Sequence, residues 1–318
     1  MRLLAADYAF AFDRLSSFYP GNPMRDDAWR DVIVRAHAVP RATPRLAAIL
    51  RAQLLARQAP PEALEAAAAF AEPQTVAVVT GQQAGLFGGP LYTLHKAITA
   101  ITLARRVSRE YGVRAVPVFW IDAEDHDWEE VRSCTVFGEE HQPGTVRLAD
   151  LDGAGERSIG RLVLGAQGDA AVSALEGVLP PTEFTAELLA MLREAYAPGR
   201  SMSEAFGRVL EHMLGRFGLV VYDASDPASK PLAADLFARA LLDPGRTSQL
   251  AAESGAALEA LGYHAQVSTV EHSAPLFLMN GAREAIRFHG DTATAGDRDI
   301  PLAELVALAR TAPERFSP

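Results

Sequence analysis

The sequence predicts an α/β fold built on a parallel sheet, because two apolar runs flank a long helical pattern. The first run, Thr75–Thr80, is short and rich in β-branched residues. The second, Ala115–Ile121, is apolar without alternation, which is typical of a parallel strand buried on both faces. Between them, apolar residues recur at helical spacing from Leu94 to Val107. Strand, helix and strand in this order predict a right-handed crossover within one sheet.

The residues before this core, 1–72, predict a helical segment that packs on the sheet. Pro44–Gln58 and Pro61–Ala71 are rich in alanine, leucine, arginine and glutamate, which favour helices, and prolines separate the two stretches. Residues 73–130 are then interpreted as the first half of the core.

Residues 131–215 are interpreted as an insertion into the core that ends in return helices. Val131–Phe137 and Thr145–Leu148 have the composition of strands, and Phe184–Ala197 and Met202–Phe217 have that of helices. These helices would return the chain to the sheet.

Residues 216–318 are predicted to hold a further core strand and helix, followed by a small β-rich connecting segment. The strand is Leu219–Tyr222, which is short and apolar. Short strands are expected between residues 264 and 289, with a turn at Asn280-Gly281. Leu302–Arg310 is predicted to be the last helix.

Composition and charge exclude several classes of protein. Hydrophobic residues make up 49% of the 318 residues and charged residues 22%, so the chain can bury a core and is not disordered. The formal net charge of −10 argues against nonspecific binding to nucleic acids, which requires basic surface. No apolar run reaches the ~18 residues of a membrane span, and the N-terminus lacks the cleavage pattern of a signal peptide. The single cysteine, Cys134, excludes an internal disulfide and a thiolate-rich metal site, and we expect a cytoplasmic protein.

A glycine-rich segment follows the first strand and is the first candidate site. Gly81 allows close approach of the backbone to a ligand, and Gln82 and Gln83 can both donate and accept hydrogen bonds. The following helix carries His95 and Lys96 near its positive end. The backbone amides of the loop and the helix N-terminus are expected to point at one anion, such as a phosphate or a carboxylate. The spacing matches neither the dinucleotide-binding fingerprint nor the Walker motif, and a structural turn with exposed histidine and lysine is the alternative.

An acidic run follows the second strand and is the second candidate site. It contains four carboxylates and one imidazole within six residues: Asp122, Glu124, Asp125, His126 and Asp127. Such carboxylates repel one another unless a cation offsets their charge. Three uses remain open: an Mg²⁺ site, a site for a substrate ammonium, or a general base formed by His126 and a carboxylate. A solvated acidic loop is the structural alternative.

A third polar cluster follows the strand Leu219–Tyr222. Asp223 lies at the end of that strand and is a candidate contact for a bound sugar, whereas Asp226 is interpreted as the cap of a helix that begins at Pro227. Because ligands of open parallel sheets bind beyond the carboxyl ends of the strands, we expect the three clusters to meet at one edge.

Two long motifs resemble those of the bacillithiol biosynthesis cysteine-adding enzymes. The first consists of Gly81–Gly85 with Gly89–Lys96, and the second is Val116–Asp127. Ser273–Phe277 and Pro313–Pro318 are similar to later landmarks of the same family. The resemblance covers the whole chain and implies a Rossmann-like parallel sheet core with inserted connecting segments.

The resemblance also implies a ligase that joins L-cysteine to glucosaminyl-malate in bacillithiol biosynthesis. We expect ATP, with Mg²⁺, to activate the cysteine carboxylate before the glucosamine amine attacks it, since amide formation requires an activated donor. The glycine-rich segment with its histidine and lysine would hold the nucleotide or its developing charge. The acidic run would bind the amino substrates or Mg²⁺, or accept a proton from the attacking amine.

Within this interpretation each candidate residue has one of two roles. The catalytic residues are His95, Lys96, Asp125 and His126. The residues that bind substrate or nucleotide are Gly81, Gln82, Gln83, Asp122, Glu124, Asp127 and Asp223.

Members of the family are longer and continue into further core strands and a helical coiled coil that forms dimers. No stretch of this chain has the sustained heptads of a coiled coil, so we expect it to correspond to the N-terminal portion, with an incomplete core. The full-length protein is expected to form a homodimer and to bind neither nucleic acid nor membrane.

Two alternative functions remain open. A metal-dependent amide or ester hydrolase would use the acidic run as its metal site, although zinc sites usually hold more histidines than His126 alone. A noncatalytic sugar- or nucleotide-binding module would bind ligands without turnover.

Overall fold

The chain folds into two compact units. The structure, a computed structural model, describes residues 3–39, 43–267, 270 and 272–318. Residues 41–229 belong to one unit, here called the sheet unit, and residues 1–40 with 230–318 belong to the other, here called the meander unit. The sheet unit draws on all four segments that the sequence predicts.

The helices and strands have the following bounds in chain order. The helices are α1 Leu4–Phe10, α2 Asp26–Ala38, α3 Thr43–Ala56, α4 Pro61–Ala68, α5 Tyr92–Tyr111, α6 Trp128–Val131, α7 Ala166–Glu176, α8 Thr185–Ala195, α9 Met202–Leu214, α10 Ala234–Leu242, α11 Arg246–Ala260 and α12 Leu302–Thr311. The strands are β1 Val76–Gln83, β2 Ala115–Asp122, β3 Ser133–Phe137, β4 Pro143–Arg147, β5 Val220–Asp223, β6 Ser273–Asn280, β7 Ala282–His289, β8 Thr292–Ala295, β9 Arg298–Pro301 and β10 Phe316–Ser317. None of the described helices combines the length and the apolarity needed to cross a lipid bilayer.

Strands β1, β2 and β5 form a parallel sheet with β2 in the centre, as the three apolar runs predict. β1 is longer than predicted, because residues 81–83 continue its pairing with β2. Gln83 lies opposite Asp122, and Asp223 of β5 lies opposite Ile121. The polar residues that end the three strands therefore lie side by side at the carboxyl edge of the sheet.

Helices cover both faces of this sheet. α5 and α9 pack on one face, where Phe206 of α9 lies 5.9 Å from Phe119 of β2, measured between ring centres. α3 and α4 pack on the other face, where Leu54 and Ala63 share a buried cluster with Val118. Burial from both sides explains why the sequence of β2 is apolar without alternation.

The segment interpreted as an insertion shares the apolar core of the sheet. Leu148, just after β4, Leu175 of α7 and Leu192 of α8 belong to the same buried cluster as Phe119. The segment therefore contributes directly to the core of the sheet unit.

The side chains of Gln53 of α3 and of Arg57, the first residue after α3, cover the outer edge of β5. Gln53 accepts a hydrogen bond from the backbone N–H of Asp223 (2.9 Å) and donates one to its carbonyl oxygen (3.2 Å). One helical turn later, Arg57 donates to the carbonyl oxygen of Val221 (2.6 Å). The two side chains thereby make the hydrogen bonds that a neighbouring strand would otherwise make.

Arg57 also forms a buried ion pair with Glu211 of α9. Its Nε donates to Glu211 Oε1 at 2.8 Å, and the two side chains are 5% and 2% exposed. Burial raises the pKa of Glu211, and the positive charge of Arg57 opposes this shift. One guanidinium therefore ties together α3, α9 and β5.

The meander unit contains an antiparallel sheet with the strand order β10-β6-β7-β8-β9. The turn predicted at Asn280-Gly281 is confirmed, since it joins β6 to β7 and Gly281 has a φ of +82°. α10 and α12 contribute to a buried cluster with this sheet that includes Phe237, Leu278 and Leu305.

The helix predicted to begin at Pro227 is a short 3₁₀ helix, Pro227–Leu232. Asp226 caps it as predicted, since its Oδ1 accepts a hydrogen bond from the N–H of Ala228 at 2.9 Å. Pro231 lies inside this turn and has no backbone N–H to donate, and regular helix begins only with α10.

Arg57→Met is expected to lower the free energy of unfolding by about 3–5 kcal/mol, because it leaves the carboxylate of Glu211 buried without its partner. Urea unfolding at pH 7, followed by circular dichroism, measures the change. Arg193→Met is the matched control, since the Arg193 ion pair with Glu176 is 41% and 54% exposed, and its loss should cost less than about 1 kcal/mol. Similar losses in the two variants would contradict the role given to Arg57.

Candidate functional site

The carboxyl edge of the parallel sheet brings together Gln83, Asp125 and His126. Gln83 Nε2 donates a hydrogen bond to Asp125 Oδ2 at 2.5 Å. Asp125 Oδ1 accepts one from the backbone N–H of His126 at 2.8 Å and lies 3.5 Å from His126 Nδ1. Asp125 is thus held from two sides and can orient the imidazole, which is 53% exposed.

The side-chain oxygen of Gln83 is buried and has no hydrogen-bond donor among the described residues. Because a carboxylate oxygen only accepts hydrogen bonds, the Nε2 of Gln83 has to face Asp125 and the Oε1 remains as an acceptor. A buried acceptor without a donor costs about 1–3 kcal/mol. The site therefore lacks an N–H or O–H group at this position.

The acidic run does not form one cluster in the structure. Asp127 caps α6, since its Oδ1 accepts a hydrogen bond from the backbone N–H of Glu130 at 3.2 Å. Glu124 is buried near Tyr222: burial raises the pKa of Tyr222, and the negative charge of Glu124 raises it further. The carboxylates that follow β2 thus lie in different environments. Asp125 is the one that contacts the end of β1, through its hydrogen bond with Gln83.

Asp122 and Asp223 end their strands in different environments. Asp122 is exposed at the end of β2. Asp223 Oδ1 accepts hydrogen bonds from the backbone N–H (2.9 Å) and the hydroxyl (2.6 Å) of Ser225. Asp223 therefore stabilises the turn after β5, and its contact with a sugar stays a prediction.

Lys96 is held by residues at the end of β1 and the start of α5. Its Nζ donates to the carbonyl oxygen of Gly81 (3.2 Å) and to Gln82 Oε1 (2.9 Å), and lies 5.1 Å from the centre of the Tyr92 ring. Gln82 in turn donates to the Tyr92 hydroxyl at 3.2 Å. His95 is exposed, and within the described part of the chain its ring makes no hydrogen bond or ion pair. The structure thus joins Lys96 to Gln82 but leaves His95 apart from them.

Four amides of the glycine-rich loop are used inside the protein, contrary to the expectation that they point at an anion. The N–H groups donate as follows: Gly85 to the carbonyl of Gln83 (2.9 Å), Phe87 to the Tyr196 hydroxyl (2.6 Å), Gly88 to the carbonyl of Gly85 (3.2 Å) and Gly89 to the carbonyl of Leu86 (3.0 Å). The loop also packs on itself, because a Cβ added at Gly85 would lie 2.7 Å from the Cα of Gly89. The chain's own packing therefore requires glycine at position 85.

A cleft of about 450 Å³, here called the strand-end cleft, lies beside the end of β1. One wall comes from β1, the glycine-rich loop and the start of α5, and the other comes from α6 and β3. The lining residues are Gln82, Gln83, Gly85, Gly89, Pro90, Leu91, Tyr92, Glu130, Val131, Ser133, Cys134 and Thr135. The cleft is wide enough for a small polar metabolite.

Three lining residues from β3, Ser133, Cys134 and Thr135, were given no role by the sequence analysis. Burial raises the pKa of the Cys134 thiol, so it stays protonated near neutral pH. β3 begins only a few residues after Asp127. This short separation in the sequence could have predicted that β3 lines the site, because it forces β3 to lie close to the acidic run.

Within the described ranges, no three His, Cys, Asp or Glu side chains form a group that could hold a metal ion. Neither the Mg²⁺ site nor the metal site of a hydrolase therefore has a preformed ligand set there. A phosphate cradle is not preformed in the glycine-rich loop either, since four of its amides already have acceptors.

Gly85→Ala is expected to lower the free energy of unfolding by about 1–3 kcal/mol, because the added Cβ would overlap Gly89 and force the loop to move. Gly177→Ala is the matched control, since Gly177 has a φ of −71° and the added Cβ would lie 3.5 Å from the nearest atom. We expect that control to stay within about 1 kcal/mol of the wild-type chain. Urea unfolding measures both, and equal losses would contradict the tight packing of the loop.

Residues 2–318 match the family described as bacillithiol biosynthesis BshC, N-terminal Rossmann-like domain. Curated relatives of the chain carry the name "Putative cysteine ligase BshC". The one from Salinibacter ruber is 34% identical over 325 residues, which cover 99% of this chain and 58% of the relative.

The relative from Solibacter usitatus is 35% identical over 309 residues, covering 96% of this chain and 56% of the relative. The relative from Symbiobacterium thermophilum is 36% identical over 270 residues, covering 80% and 48%. The chain thus spans about half the length of the curated relatives it matches. The family resemblance and the Rossmann-like fold are confirmed, and the chain belongs to the BshC family through its N-terminal Rossmann-like domain.

Proposed function

We propose that this chain supplies the amine-binding part of a ligase that joins L-cysteine to glucosaminyl-malate in bacillithiol biosynthesis. Membership of the BshC family supports the reaction class, because the matched relatives are named "Putative cysteine ligase BshC". The observation that carries the proposal to particular residues is the buried Oε1 of Gln83, which has no donor among the described residues. Gln83 lines the strand-end cleft, and its Nε2 donates to Asp125.

An amino group supplies the donor that the Oε1 of Gln83 lacks among the described residues. It has several N–H bonds, so it can donate to the Gln83 Oε1 and to the Asp125 carboxylate at the same time. The carboxylate favours the charged ammonium while the substrate binds. We assign this position to the amine of the glucosamine, since the group that attacks has to lie next to a proton acceptor.

The bond-forming step then needs a proton acceptor at the same place. The bound ammonium first gives one proton to water through His126. The neutral amine then attacks the activated carboxyl carbon of cysteine, the C–N bond forms, and the bond from that carbon to the activating group breaks. The proton that the amine loses passes to the pair formed by Asp125 and His126, whose Oδ1 and Nδ1 atoms are 3.5 Å apart. His126 is half exposed and can release the proton to water.

Activation of the cysteine carboxylate by ATP with Mg²⁺ is a further part of the proposal. It is supported by the chemistry of amide formation, which requires an activated carboxyl group. Lys96 and His95 lie near the N-terminus of α5. They remain candidates for stabilising the negative charge of the activating group. Dimer formation and a cytoplasmic location of the full-length protein likewise remain proposals.

Isothermal titration calorimetry of this chain with glucosaminyl-malate tests the amine site. We expect saturable binding, and Gln83→Ala or Asp125→Asn should weaken it about tenfold or more, because each removes a hydrogen bond to a charged group. Gln249→Ala is the matched control, since Gln249 is an exposed glutamine of the meander unit that binds only its neighbours on α11. The affinity of the Gln249→Ala variant for glucosaminyl-malate should equal that of the wild-type chain.

Two results would count against the proposal. Undiminished binding in Gln83→Ala and Asp125→Asn would place the amine elsewhere. No binding by a folded wild-type chain would show that residues 1–318 do not form the amine site. Mass spectrometry of the mixture with L-cysteine, ATP and Mg²⁺ tests for the amide product separately.

A further inference from the structure

The glycine-rich loop contains three consecutive residues with left-handed backbone conformations. The φ angles are +56° at Phe87, +96° at Gly88 and +73° at Gly89. Glycine adopts such angles without cost, but a phenylalanine does not, because its Cβ approaches the backbone carbonyl. Some contact therefore has to hold Phe87 in this conformation.

Tyr196 makes that contact. Its hydroxyl oxygen accepts a hydrogen bond from the backbone N–H of Phe87 at 2.6 Å. The two rings also meet edge to face, with 5.2 Å between their centres. Tyr196 is 1% exposed, and burial raises its pKa, so the phenol stays neutral and its oxygen keeps accepting the hydrogen bond.

The position of Tyr196 is itself fixed by its neighbours. Its backbone N–H donates to the carbonyl of Leu192 at 2.8 Å, at the end of α8. A Cβ added at Gly168 of α7 would overlap the Tyr196 carbonyl oxygen. Contacts with α7 and α8 therefore hold Tyr196 in place, and its phenol oxygen contacts the loop from that position.

The conformation of Phe87 affects the strand-end cleft, because residues of the same loop line it. Gly85 and Gly89 stand on either side of Phe87, and both line the cleft together with Leu91. Tyr196 does not line the cleft, so any effect it has on a ligand there passes through the loop.

We propose that Tyr196 is a positioning residue, whose phenol oxygen holds Phe87 in the left-handed conformation and thereby sets the shape of the loop wall of the strand-end cleft. The consequence for ligand affinity rests on the proposed function, whereas the consequence for the loop does not. The role is distinct from catalysis, since the hydroxyl is buried away from the cleft.

Tyr196→Phe tests the proposal because it removes only the hydroxyl. Nuclear magnetic resonance should show the amide of Phe87 exchanging about tenfold faster, the effect of losing one buried hydrogen bond. The amide signals of Gly85, Gly89 and Leu91 should move as well. Tyr263→Phe is the matched control, since Tyr263 is 3% exposed and its hydroxyl donates to Asp7 at 2.7 Å within the meander unit. It should leave the loop signals unchanged.

A second variant separates positioning from a loss of stability. Phe87→Gly lets residue 87 adopt the left-handed conformation without strain, so adding Tyr196→Phe to it should shift the signals of Gly85 and Gly89 much less than Tyr196→Phe does alone. Equal shifts in the two backgrounds would overturn the proposal. So would unchanged signals of Gly85, Gly89 and Leu91 in Tyr196→Phe.

Binding adds a readout that depends on the proposed function. If the wild-type chain binds glucosaminyl-malate, Tyr196→Phe should weaken the affinity about three- to tenfold, while Tyr263→Phe leaves it unchanged. Unchanged affinity in a chain whose loop signals have moved would overturn the link between loop and cleft. If the wild-type chain binds nothing, the proposed function fails, and the loop signals still decide the role of Tyr196.

Discussion

The buried guanidinium of Arg57 is the interaction on which the sheet unit depends. It neutralises Glu211 of α9, which burial alone would leave costly to ionise, and it satisfies the carbonyl of Val221 at the edge of β5. Gln53, one turn earlier on α3, fixes the backbone of Asp223 in the same way. The register that places three polar strand ends side by side is therefore supported from a helix on the far side of β5.

The candidate site combines residues that are far apart in the chain but adjacent at one edge of the sheet. Gln83 ends β1 and Asp125 follows β2, and the parallel register of those strands brings them within hydrogen-bonding distance. The loop between β1 and α5 obtains its shape from the opposite direction, through Tyr196 at the end of α8. The wall of the cleft that β1 and the loop form is thus defined partly by strand pairing and partly by helix packing. Its polar groups are held before any ligand arrives, which lowers the entropy lost on binding.

Local patterns in the sequence were sufficient for the parts of the fold that repeat a regular period. β2 and α5 were predicted closely because an unbroken apolar run and a helical stripe each have one simple interpretation. β1 extends to Gln83, beyond the predicted end, because pairing with β2 outweighs the weak strand propensity of Gly81. The sequence also could not show where the amide of Phe87 points, since its acceptor on Tyr196 lies 109 positions away. Without knowledge of that contact, the sequence does not distinguish glycines that let the loop pack on itself from glycines that let a phosphate approach.

The edge of β5 is covered by side chains, whereas the edge at the other side of the sheet, on β1, is open. Among the described strands β1 pairs only with β2, so its outer edge has no strand beside it. β1 contains no charged residue and no proline, which are the usual protection of an edge strand, and Val79 on it is 56% exposed. An uncharged edge with an apolar residue is a template for pairing with a strand of another molecule. β1 is therefore the strand of this sheet that is most open to pairing with another molecule, and a lysine placed on it opposes such pairing.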